Sequence, residues 1–274
     1  MREFRYRFEA MNTPCELSIF SISKPRADGV AQDIVKESKR LQHKYSYYDK
    51  NSWLYRVNAR LEHHIDRESK SILRRSLEFY RATDGIFDIT MATLKDLYSI
   101  SKSVNDLQSS RAKLLEFVGC EHIKIQRDKI MFDNKFTKID LGGFVKEHAV
   151  DRAATLIRRA KISSALINFG GDIYAVGRRV DARAFRVGIK DPDDRSKHIE
   201  YVEIEDEALT TSASYERNYH IEQQTYSHIL SKTDSKLKPK SVTVISPTCV
   251  QSGVYSTALM IEPKLKCTHR CIIL

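Results

Sequence analysis

Residues 137–177 constrain this chain most, because two glycine pairs there each close a short apolar run. The runs are Lys138-Ile139-Asp140-Leu141-Gly142-Gly143 and Ile167-Asn168-Phe169-Gly170-Gly171-Asp172. Both read as strand ends opening onto a site. Between them Val145, Ala149, Ala153, Leu156, Ile157 and Ala160 recur at helical spacing, which predicts a strand handing over to a helix N-terminus at the first pair. Backbone amides bared by glycine, the positive end of a helix dipole and Lys146 in the first turn together suit an anion. A nucleotide or dinucleotide diphosphate is the natural guest. Strand-to-helix turns also use glycine for geometry alone, and neither G-x-G-x-x-G nor G-x-x-x-x-G-K-[ST] is met, so both readings stay open on spacing.

With 274 residues, 30% of them charged and 41% hydrophobic, the chain is long enough to bury a large core. Its 10 glycines and 6 prolines exclude collagen-like and low-complexity classes. The first twenty residues alternate charge with aromatics and form no apolar run, so neither a signal peptide nor a membrane anchor is expected, and the chain reads as cytoplasmic. Five cysteines without framework spacing fit reduced thiols. Cys267-Thr268-His269-Arg270-Cys271 lacks the second pair of a soft-metal site and reads as a frayed tail with incidental cysteines. A net charge of +10 permits nucleic-acid binding, but the basic residues are spread along helices and lack an aromatic stripe. A solvated surface explains most of them, and neither nucleic acid nor membrane is expected as a partner.

Residues 4–20 alternate apolar and polar and predict one or two strands broken at Met11-Asn12-Thr13-Pro14. Helices are expected over residues 30–41, 53–59, 69–83 and 109–117, and a hairpin over 122–132. Strands follow at 185–190, 201–204, 208–212 and 241–246, and a last helix carries Val250, Val254, Ala258 and Ile261 with Gly253 and Thr257 one turn apart on a neighbouring face. Residues 231–240 read as a loop, mobile or lying over a site.

The order of these motifs resembles a family. Ala10-Met11-Asn12-Thr13, residues 46–58, Gly85-Ile86-Phe87-Asp88-Ile89-Thr90, Asp140-Leu141-Gly142-Gly143 with Lys146, residues 168–177 and 211–217, His228-Ile229-Leu230 and Ser256-Thr257-Ala258 are similar to the ApbE family of FAD:protein FMN transferases. The resemblance implies one domain over residues 1–274 with an α+β, T-fold-related architecture of mixed or antiparallel sheets packed with helices. It implies an enzyme that cleaves FAD and joins FMN through its phosphate to a Thr or Ser of a client protein, releasing AMP, with Mg²⁺. Carried over, Met11, Tyr48, Ile86, Phe87 and Asp88 border the flavin or adenosine part of FAD, beside Leu230. Asp140 and Lys146 approach the diphosphate, and His228 handles the proton of the attacking hydroxyl. The metal ligands would be the Gly143 carbonyl and the groups of Ser256 and Thr257.

The chain departs from that pattern where the metal is concerned. Family members usually place an aspartate one helical turn before the threonine matching Thr257; here that residue is Gly253. Mg²⁺ is usually held by one or two carboxylates with phosphate oxygens, so this loss weakens the expected site. Residues 231–235 replace the usual Asp-Pro-Arg-Thr-Gly, Asn12 replaces a glycine, and Glu147 stands where a glycine usually follows the lysine. Glu147 either sets a negative charge near the diphosphate or supplies a replacement ligand. A working transferase and a flavin-binding homologue serving as carrier, sensor or partner subunit are both compatible with these residues. Gly253→Asp is expected to raise activity if the missing carboxylate alone limits it.

Overall fold

The computed structural model describes residues 1–194, 196–214, 218–232 and 239–274. In chain order it contains strands β1 (Arg2–Ala10) and β2 (Thr13–Ser21), then helices α1 (Lys24–Lys44), α2 (Trp53–Asn58) and α3 (Arg67–Ala82). Short helices α4 (Ala92–Lys95) and α5 (Leu97–Ile100) lead to α6 (Val104–Leu114), the hairpin β3 (Ile123–Gln126) and β4 (Lys129–Phe132), and α7 (Gly142–Arg159). Next come β5 (Ala165–Phe169), β6 (Asp172–Val176), β7 (Phe185–Lys190), β8 (His198–Ile204) and β9 (Ala208–Ala213). The chain finishes with β10 (Asn218–Ile221), β11 (Gln224–Ser227), β12 (Ser241–Ser246), α8 (Cys249–Ile261) and β13 (Arg270–Ile273).

Among the described residues the main sheet has seven strands in the order β1-β2-β5-β6-β9-β12-β13, antiparallel at each pairing. Strand alternation sends its two faces to different covers. Tyr174, Val176 and Ala208 join the large core beneath α1, α7 and α8, while Ala175, Leu209 and Ile245 point the other way onto Phe185, Val187, Val202 and Ile204 of the β7–β8 hairpin. Asp172, Thr210 and Ser212 share the parity of Tyr174 and Ala208, so the sheet presents them to the helical side.

The helices start where side chains can accept their free amides. Ser23, Asp66 and Thr248 cap α1, α3 and α8, accepting from Arg26, Ser69 and Gln251. Asp151 of α7 adds hydrogen bonds from the Cys249 and Val250 amides at 2.7 and 3.2 Å, docking the start of α8 against α7. Burial holds the Asp151 carboxyl up, at about 6, against the pull of those two amides.

Three expectations are corrected. Residues 137–141 form no strand; the run is extended but held by side chains, with the Asn58 amide bonded to both backbone groups of Ile139 and Thr93 bonded to Lys138. The C-terminal segment is not frayed: β13 pairs with β12, and Cys267 and Cys271 lie with their sulfurs 3.4 Å apart as free thiols. The helix expected at 109–117 starts earlier, at Val104, because Ser103 caps it. The loop expected at 231–240 lies largely outside the described residues. Among the described residues no helix is long and apolar enough to cross a membrane.

Candidate active site

A cavity of about 840 Å³ opens between the β1–β2 turn, the end of α1, the segments around Tyr48 and Phe87, the start of α7, the helix-facing residues of β9, and residues 228–230. That size lies within the range of small-molecule sites. Met11 and Asn12, both at φ 55°, make the tight hairpin turn, and the Met11 amide donates to Gln42 of α1 at 2.6 Å. The turn is thereby fixed against the cavity. Phe87 is held by its amide donating to Thr83 at 3.0 Å, and Asp88 accepts from the Thr90 amide at 2.8 Å while pairing with Lys232 at 2.9 Å. Lys232 therefore brings the chain just after Leu230 down onto Asp88.

On another wall, Lys95 pairs with Asp140 and lies over the rings of Tyr47 and Tyr48, 4.6 and 4.8 Å from their centroids. Burial works against the Lys95 charge, yet Asp140 raises its pKa above the ordinary lysine value. Tyr48 is 69% exposed and edge-on to Tyr47, offering an aromatic surface at the opening.

The start of α7 is different in character. Of its first amides, Gly142 donates to Asp140 at 2.9 Å, while those of Phe144 and Val145 bond to the Leu141 carbonyl. The expected amide cradle is thus largely spent within the protein, and charge falls to side chains. Lys146 pairs with Asp172 at 2.7 Å. Glu147 turns inward beside them, 5% exposed, with its Oε2 buried and lacking a hydrogen-bond partner. Burial first, then the neighbouring Asp172, push Glu147 well above the usual carboxylate range against the pull of Lys146; burial also raises Asp172.

Gly253 explains how Glu147 fits. A Cβ at position 253 would lie 2.5 Å from Glu147 Cγ and 3.0 Å from its Cδ and Oε1, so the glycine is the notch that the glutamate fills. An aspartate at this position, as in Gly253→Asp, would meet Glu147, so the two carboxylates could not both keep their places. One turn on, Thr257 reaches the cavity, and its hydroxyl and that of Ser256 bond Ser212 at 3.3 and 2.8 Å. The Ser256 side chain is fully buried and donates to the Gly253 carbonyl, so its hydroxyl sits behind the wall rather than on it.

Met11, Tyr48, Ile86, Phe87, Asp88, Asp140, Gly143, Lys146, His228, Leu230 and Thr257 all line this one cavity. The second glycine pair does not. Gly170 and Gly171 make the β5–β6 turn, where a Cβ on Gly170, at φ +62°, would strike Thr13, so that pair serves turn geometry and delivers Asp172. Sequence reasoning missed Asp172 and Lys95 as site residues. Asp172 carried a signal, since it directly follows the glycine pair; Lys95 carried none.

Among the described residues no group of three or more His, Cys, Asp or Glu side chains forms a metal cluster. A hard cation sharing one or two carboxylates with hydroxyl, carbonyl and phosphate oxygens does not need one. Glu147, Thr257 and Gly143 line the same cavity, and their carboxylate, hydroxyl and carbonyl oxygens fit that donor chemistry.

The family model described as the ApbE family matches residues 11–269. FAD:protein FMN transferases of Klebsiella pneumoniae and Escherichia coli K12 are 24% and 25% identical over 268 residues, 92% of this chain and 77% and 76% of theirs. The crystal structure of the ApbE protein of Thermotoga maritima superposes with a TM-score of 0.85 at 26% identity, covering 95% of this chain and 87% of that one. The α+β arrangement of antiparallel sheets and helices is thus that of the ApbE flavin transferases, and this chain belongs to the ApbE family.

Proposed function

We propose that this chain cleaves the diphosphate of FAD and joins FMN through its phosphate to a Thr or Ser hydroxyl of an acceptor protein, releasing AMP. The observation that carries this reading is the convergence of the motif residues, from both ends and the middle of the chain, on one cavity that also holds an imidazole. The names of the relatives, FAD:protein FMN transferase, support it.

Met11, Ile86, Phe87 and Tyr48 offer apolar and aromatic faces for the ring systems of FAD, and Lys146 and Lys95 offer positive charge for its diphosphate. His228 takes the proton of the acceptor hydroxyl as its oxygen bonds to the phosphorus of the FMN half. The bond from that phosphorus to the bridging oxygen breaks, and AMP leaves carrying that oxygen. Phosphoryl transfer asks for positioning and charge neutralisation rather than covalent participation by the protein, which suits this set of groups. Mg²⁺, when bound, neutralises phosphate charge; Glu147, Thr257 and the Gly143 carbonyl are the groups that would hold it.

The test is to incubate the protein with FAD, Mg²⁺ and a flavin-acceptor protein, then weigh the acceptor by mass spectrometry and quantify AMP. An adduct of FMN mass with matching AMP is expected. FAD binding without adduct or AMP would point instead to a flavin carrier, sensor or partner subunit. His228→Ala is expected to lower turnover by roughly 10²–10⁴-fold, the usual worth of a positioned general base, with FAD affinity nearly unchanged.

A further inference from the structure

We propose that Glu147 is a ligand of a divalent cation in this cavity, and that Gly253 is the residue that makes the position available to it. The inference builds on the proposed FMN transfer by naming the carboxylate of the same site, but it is tested by cation binding alone.

Three observations carry it. Glu147 is 5% exposed, lines the cavity, and keeps one carboxylate oxygen buried with no hydrogen-bond partner. The Asp172 carboxyl is its neighbour, and a cation between the two would satisfy that oxygen. Next, two buried carboxylates, Glu147 and Asp172, line the cavity together with Lys146, whose ammonium pairs with Asp172. Finally, neutral oxygen donors stand on the same wall: Thr257 one helical turn after Gly253, and the backbone of Gly143 at the kink that opens α7. A carboxylate with hydroxyl and carbonyl oxygens suits a hard divalent cation such as Mg²⁺ or Mn²⁺.

Gly253 and Glu147 then act as a reciprocal pair. The absent Cβ on α8 is the space that the Glu147 Cγ fills, 2.5 Å away, so any side chain at 253 displaces the carboxylate from α7. A carboxylate can reach this spot from α7 or from α8, and the packing admits one of the two. The chain uses α7.

The experiment is a titration of the full chain with MnCl₂, without FAD, following free Mn²⁺ by electron paramagnetic resonance and competing with Mg²⁺. Circular dichroism melting reports whether each variant folds. The wild type is expected to bind Mn²⁺ and to lose affinity at least tenfold in Glu147→Gln, which preserves shape. Gly253→Ala, which adds a methyl group without charge, is expected to weaken binding as well. The double variant Glu147→Gly with Gly253→Asp restores a single carboxylate from the other helix and is expected to bind within about threefold of wild type, by the reciprocity argument. Folded Glu147→Gln binding Mn²⁺ as tightly as wild type would overturn the proposal, as would a wild type that binds none at millimolar Mn²⁺. If the double variant fails to fold, Glu147→Gln decides alone. FMN transfer with Glu147-independent Mn²⁺ binding would sink this inference and leave the transferase reading standing; Glu147-dependent binding without transfer would do the reverse.

Discussion

Lys95 and Asp140 on one wall of the cavity form a balanced pair, one cation for one carboxylate, with the aromatic rings of Tyr47 and Tyr48 beneath the ammonium. Asp140 has a second donor in the Gly142 amide and keeps 22% of its side chain exposed. On the inner wall Lys146 stands among two carboxylates, of which the paired Asp172 has only 2% of its side chain exposed and Glu147 keeps an oxygen unsatisfied. The first arrangement is balanced as it stands: it positions aromatic surface and still presents the Lys95 ammonium to the cavity. The second packs two carboxylates that water barely reaches beside one ammonium, an arrangement that a further cation would complete.

The sharpest way to break this comparison is to remove the cation from each wall in turn. Lys146→Met strands Asp172 and Glu147 in a buried environment and is expected to destabilise the fold by about 3 kcal/mol, the lower end for a broken buried pair because two carboxylates can share one proton. Chemical denaturation measures it. A loss below 1 kcal/mol would mean that the inner wall is no more demanding than the outer one.

An ion network away from the cavity gives the scale for ordinary pairs. Glu68 sits between Arg40 and Lys44, tying α3 to α1. Burial alone would raise its pKa, but hydrogen bonds and charge from Arg40 and Lys44 win and hold it down at about 2. A carboxylate depressed on folding contributes stability that is full above its unfolded pKa and lost as pH falls through the folded one. Glu68→Gln should therefore cost about 1–2 kcal/mol at pH 7, discounted for partial exposure, and the deficit should shrink from pH 4.5 towards pH 2. Melting curves against pH check the direction; a deficit that grows on acidification would contradict it.

Lys95→Met should have the smallest effect, about 1 kcal/mol in stability, since Asp140 retains its amide donor and some solvent. Its larger consequence is a few-fold weaker FAD binding through loss of charge and of the Tyr47–Tyr48 support, readable by flavin fluorescence. Equal stability losses for Lys95→Met and Lys146→Met would erase the distinction between the walls.

Much of the architecture was legible because it rests on local periodicity. The alternation around Met11-Asn12 marked the β1–β2 hairpin, and Ile72, Leu73 and Ser76 marked the buried face of α3. The motif order also marked which segments meet, and the cavity gathers them. What the sequence left out is tertiary. The short strand β13 becomes a strand only by pairing with β12, and the run at 137–141 looks like a strand yet spends its backbone bonds on Asn58 and Thr93. The two glycine pairs look equivalent in sequence, but the first lines the cavity and the second only turns the chain. Gly253 reads as a lost ligand until the contact with Glu147 shows that its missing Cβ is occupied.

The central claim is that the inner wall is completed by a cation held through Glu147. Its most direct measurement is anomalous diffraction from crystals of the full chain grown with FAD and MnCl₂. The account predicts a manganese peak at coordination distance, about 2.1 Å, from a Glu147 carboxylate oxygen and close to the Thr257 hydroxyl. A FAD-bound crystal with no manganese peak in the cavity, or with one whose ligands omit Glu147, would contradict it.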